Sequence, residues 1–167
     1  MTTYLLPDLL RHDAWANATV LESLRANPAV LQTVCYDEKP LLERLHHQAG
    51  TERAFLGVFR GDKERPPVPP SLDELAASIA ETSSALDAFT LELGIDGQDQ
   101  PFFVPWFGVA FPFHMLVTQV VGHSSQHRSE LAWELARAGV KTGELDFIAW
   151  LAGGKPKPGE PLRLPSR

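Results

Sequence analysis

His123 and His127 lie four residues apart in the stretch VVGHSSQHRSELAWEL, residues 120–135. On a helix, side chains at i and i+4 sit one above the other, so both rings can reach one point in space, as a divalent ion requires of two imidazoles. Phe113, Leu116, Val120, His123, His127 and Leu131 recur at helical spacing, which sets the pair within an apolar stripe facing the core. Two imidazoles hold an ion weakly, and catalytic sites present three protein ligands with a further position open. The same pair also fits a polar seam in which each ring is hydrogen-bonded separately.

A third imidazole must come from His12, His46, His47 or His114. His46 and His47 have the strongest helical context. On a wheel of Leu41 to Phe59 the apolar arc centres on Leu45, Ala49, Leu56 and Phe59, with His46 about 110° and His47 about 150° away. Neither ring is central, and the wheel slightly favours His46. His114 falls about half a turn off the stripe of the pair and reads as a boundary residue.

The elements that must position these rings are helical. The first helix is expected from Pro7 to Ala26, closed by Asn27 and Pro28, and the second from near Pro40 to a stop at Gly61. GDKERPPVPP then reads as an extended surface connector. Ser71 with Glu74 forms a capping box that starts a third helix, ended by Gly94 and Gly97. Residues 94–110, GIDGQDQPFFVPWFGVA, read as a long loop with a short hairpin, and long loops tend to be functional. A fourth helix runs from Pro112 to Ala138 before Gly139, and ELDFIAWLA forms a last short one. The expected fold is all-α, a four-helix bundle with a short extra C-terminal helix: a domain over 1–153 and a poorly packed Pro/Gly-rich tail over 154–167.

A hydrophobic share of 44% with 22% charged residues suits a globular chain, neither disordered nor embedded in a membrane. The N-terminal MTTYLLPDLLRHDAWAN has no basic leader, which points to the cytoplasm. A net charge of −6 without a basic stripe argues against broad contact with nucleic acid. The single cysteine, Cys35, permits neither a disulfide framework nor a thiolate cluster and reads as buried filler.

WAN at 15–17, LHHQAGTERAFL at 45–56 and HSSQHRSEL at 123–131 together resemble the DinB/YfiT-like (DNA damage-inducible DinB) superfamily, metalloenzymes on a four-helix bundle. The resemblance spans about Leu5 to Leu151 and implies that a histidine of the second helix joins the pair on the fourth to bind Zn, Ni or a similar divalent ion, with Mn or Fe as alternatives. An acid often stands five residues after that ligand, and Glu52 stands so after His47, which gives the ligand set His47, His123 and His127. The chain reads HRSE where the family often reads HRGQ, which spares the ligands and alters the contacts at Ser129 and Glu130.

Three neutral imidazoles leave an ion dipositive and able to acidify a bound water or thiol. The resemblance implies a homodimer working as a metal-dependent transferase or hydrolase on a small molecule, with a low-molecular-weight thiol brought by a cosubstrate. The alternative is a non-catalytic metal-binding protein of the stress response. Glu52 is the first choice of general base, since burial near the apolar arc would raise its pKa. Glu52, Gln126 and Glu130 are acceptors able to orient ligand N–H groups, and Arg128 is suited to an ion pair with a carboxylate of protein or substrate. Trp106 and Phe107 read as packing residues.

Overall fold

The computed structural model describes residues 5–34, 38–62, 67 and 69–164; Cys35 and half of the proline-rich connector lie outside them. The described residues form five α-helices and one small antiparallel sheet. The helices are α1 (Leu5–Ala26), α2 (Leu41–Arg60), α3 (Leu72–Leu93), α4 (Phe113–Arg137) and α5 (Phe147–Ala152). Among the described residues no helix is long and apolar enough to cross a membrane.

Helix ends follow local chemistry. Ser71 caps α3 and Glu74 reaches back to it, so two backbone N–H groups that would lack partners are satisfied. Gly61 ends α2 in the left-handed region at φ 75°, which costs a residue without a Cβ nothing. A 3-10 helix, Pro28–Gln32, not expected from the sequence, follows α1 and buries Val30 and Leu31.

The hairpin pairs β1 (Pro101–Val104) with β2 (Val109–Pro112), Phe102 opposite Phe111. Phe102 sets its ring 5.2 Å from that of Phe59, and Val104 is fully buried, while Phe103 and Phe107 face solvent. The inward side chains of β1, Phe102 and Val104, thus tie the loop to the ends of α2 and α4.

Each long helix has two neighbours: α1 packs on α3 and α4, and α2 packs on α3 and α4. Helices α2 and α4 run antiparallel, because Phe59 meets Phe113 at one end and Arg44 meets Glu130 at the other. Beside a small cluster of Trp15, Ala16 and Trp150, the interior holds two large apolar ones. One gathers Leu24, Leu41, Leu45, Leu75, Ile79, Leu131 and Leu135; the other gathers Leu10, Phe55, Phe59, Leu86, Phe113 and Val120. Between them every long helix carries buried polar residues: Asp13 and Asn17, Gln48 and Glu52, Thr82 and Ser83, Ser124 and Arg128.

The segment after α5 corrects the expectation of a poorly packed tail. Trp15 donates its indole N–H to the carbonyl of Glu160 at 3.0 Å, Trp150 donates to that of Pro156 at 2.9 Å, and Leu162 packs against the small cluster these indoles form with Ala16. Two buried indoles need acceptors, and this Pro/Gly-rich chain supplies its free carbonyls.

Leu75 is fully buried in the first cluster, far along the chain from any histidine. Leu75→Ala is expected to cost about 2–5 kcal/mol, read as a lowered urea midpoint. A loss under about 1 kcal/mol would mean that the cluster collapses onto the gap.

Candidate metal centre

Each of the three predicted histidines arrives from an element fixed by the core. His123 and His127 stand one turn apart on α4, and His47 faces them from the antiparallel α2. The Nε2 atoms of His123 and His47 are 3.1 Å apart, those of His127 and His123 are 3.2 Å apart, and the three candidate ligand atoms lie within 4.8 Å of one another. The rings meet steeply, at interplanar angles of 61°, 85° and 74°, so they gather edge to face rather than stacked.

The set runs from the rim inward, so of the pair expected to face the core His127 does so and His123 lies at the boundary. His47 is exposed, His123 half-buried and His127 buried. Their immediate successors are turned inward as well. Gln48 follows His47, Ser124 follows His123 and Arg128 follows His127, and all three are enclosed. At about 100° per residue, a helix that aims one side chain along the α2/α4 seam aims the next into the interior.

His127 is held from behind. Its Nδ1 is 2.8 Å from Oε2 of Glu130, and the same oxygen accepts from Nη1 of Arg44 at 2.7 Å. Burial alone would raise the Glu130 pKa, but the bonds from His127 and Arg44 outweigh it and hold the group below its ordinary value. An ionised carboxylate only accepts, so Nδ1 of His127 donates to Glu130 and its Nε2 is the nitrogen left to face His123. Burial lowers the His47 pKa and takes that of His123 down to about 4, the neighbouring histidines adding to both shifts. Both rings are neutral at neutral pH.

The donor set fits a divalent cation. A proton shared along one Nε2 pair leaves the third nitrogen without a partner, and Nδ1 of His123 is buried with no partner of its own. A divalent cation bound there would take one nitrogen from each of the three rings.

The other candidates are placed elsewhere. Nε2 of His46 is buried without a partner, away from the cluster, so of the two adjacent histidines the structure brings His47 to the pair. His12 bonds the carbonyl of Leu145 at 2.8 Å, and His114 bonds that of Gln98 at 3.1 Å. Gln126 is exposed. Trp106 packs its ring on Phe55 at 5.4 Å.

The inward successors belong to a hydrogen-bonded layer that the sequence reading did not assemble. Arg128 donates to Asp13 at 2.6 Å and to Asn17 at 2.8 Å; Asn17 donates to Ser124 at 3.0 Å. Gln48 donates to Ser124 at 2.9 Å and to Glu52 at 3.0 Å. The available signal was a polar pair four residues apart interrupting the apolar stripe on each of three helices: Asp13/Asn17, Gln48/Glu52 and Ser124/Arg128.

Glu52, expected as a base, sits in this layer at 1% exposure. Burial, then the charge of Asp13, pushes its carboxyl up to about 8. Burial also raises the Asp13 pKa, and Arg128 opposes that shift. With one guanidinium for two carboxyls, the layer is neutral when Asp13 is ionised and Glu52 keeps its proton, so at neutral pH Glu52 holds a proton and does not take one.

No protein-family model and no curated protein matches the chain.

The Glu52 carboxyl has a pKa raised from 4.5 to about 8, so over that window the folded chain keeps a proton that the unfolded chain releases. Its contribution to stability is therefore full below the unfolded value and lost as pH rises through the folded one. Glu52→Gln, which cannot ionise, is expected to gain stability relative to the parent as pH rises through this window. Urea unfolding on either side of it gives the comparison, and a pH-independent difference would show that the carboxyl ionises normally.

Proposed function

We propose that His47, His123 and His127 hold a divalent ion, zinc or nickel first with manganese or iron as alternatives, in a DinB/YfiT-like four-helix bundle that works as a metal-dependent transferase or hydrolase. The reading rests above all on the gathering of three imidazoles from two helices, with successive Nε2 atoms 3.1 Å and 3.2 Å apart. It draws further support from the sequence resemblance and from the packing of each long helix on two others. In this reading the protein is a cytoplasmic homodimer acting on a small molecule.

A divalent ion bound by three neutral ligands supplies Lewis acidity, lowering the pKa of a water or of a low-molecular-weight thiol brought by a cosubstrate. The chain's own contribution is orientation. Glu130 fixes the tautomer and the ring plane of His127, and Arg44 holds Glu130 in place. His47 is exposed, so the site is approached from solvent along the α2/α4 seam. The buried layer holds α1, α2 and α4 in register.

A non-catalytic metal-binding protein of the stress response is the second reading. It is favoured by one observation: the carboxyl expected as general base is enclosed and keeps its proton at neutral pH.

Elemental analysis of the purified protein should find stoichiometric zinc or nickel. His123→Ala and His47→Ala are expected to lose the ion while keeping parental helicity. An ion-free parent that zinc and nickel do not stabilise thermally would sink both readings. Glu130→Ala should keep the three ligands yet weaken zinc by ~10–100-fold in chelator competition. Unchanged affinity in that variant would remove Glu130 from the centre.

A further inference from the structure

One helical turn beyond the histidines along the α2/α4 seam opens a cleft of about 580 Å³, lined by Val34, Arg44, Glu130, Trp133, Glu134 and Arg137. Arg44 lies one turn before His47 on α2, and Glu130 lies one turn after His127 on α4. The wall shared by the cleft and the metal centre is thus the Glu130 carboxylate that holds His127.

Two large apolar groups flank this cleft and face water: Trp133 is 66% exposed and Val34 60% exposed. An indole left in solvent forgoes most of its transfer free energy, and its flat face is a stacking surface. Beside it, Arg137 sends both of its hydrogen bonds, each 3.2 Å, from Nη1 to Glu134 three residues away. The side chain of Arg137 is 60% exposed, so that pair adds little to stability, and the other guanidinium N–H groups have no partner among the described residues. A planar fork with donors to spare suits a carboxylate held through two parallel bonds. The cleft's own charges balance, Arg44 with Glu130 and Arg137 with Glu134. A dipositive ion held by imidazole ligands, which bring it no negative charge, would draw an anion.

We propose that this cleft binds the substrate of the metal centre, and that the substrate is a carboxylate with a flat apolar body. The flat body stacks on Trp133, the carboxylate engages Arg137, and the remaining end extends along the seam toward His123 and His47. The assignment rests on the metal-centre reading above.

Binding of 2-naphthoate to the zinc-loaded full chain, followed by titration calorimetry with neutral 2-naphthol as comparator, tests it. The parent should bind 2-naphthoate saturably. Trp133→Ala should weaken both compounds, whereas Arg137→Gln should weaken 2-naphthoate by about tenfold, the worth of one charged hydrogen bond, and leave 2-naphthol unchanged. Both side chains are exposed, and circular dichroism with zinc analysis on every sample verifies that fold and ion are kept. Zinc retained without saturable 2-naphthoate binding, or with both variants binding like the parent, overturns the cleft assignment alone. A parent that takes up no zinc overturns the metal reading and the substrate role together.

Discussion

Arg128 is enclosed by the helices and 5% exposed, and the rest of the interior is organised around that buried charge. A guanidinium withdrawn from water must be paired and hydrogen-bonded or it costs several kcal/mol, on the order of the stability of a whole domain. Asp13 supplies the opposite charge and Asn17 a second acceptor, both from α1. Ser124 and Gln48 extend the network to α4 and α2. The two large apolar clusters therefore have a polar stratum between them.

Such a stratum adds little net stability, since well-packed hydrophobic side chains would do as well or better. Its effect is on register. An apolar seam tolerates small slides of one helix along another, whereas an ion pair at 2.6 Å does not. The three histidines inherit this constraint, because each is the chain neighbour of a stratum residue. His47, His123 and His127 thus gain a fixed spacing from bonds that none of them makes. Only His127 has direct support as well, through Glu130 and Arg44.

Much of this was legible in the sequence. Ser71 with Glu74, Gly61 and Gly139 mark helix ends because caps are local, and local chemistry depends on few neighbours. The spacing of His123 and His127 was readable for the same reason. The stratum was not assembled, because Asp13, Gln48 and Arg128 look like surface residues until partners from three helices are brought together. The apolar wheel favoured His46 since it measures distance from the arc's centre, while the ring site lies at the arc's edge, where α2 meets α4. The short segment PAVLQ carries no helical period, so its 3-10 turn stayed hidden. The terminal segment looked unpacked because proline and glycine say nothing about the indoles of Trp15 and Trp150 that claim its carbonyls.

Helix α1 is gripped on two faces. On its inner face Asp13 and Asn17 bind Arg128, and on its outer face Trp15 takes the carbonyl of Glu160 while Asp8 pairs with Lys155 at 2.6 Å. The two grips fall within three turns of one rigid rod. Detachment of the terminal strap would therefore free the helix that neutralises the buried guanidinium, making strap, helix and histidine spacing a single cooperative unit of local unfolding.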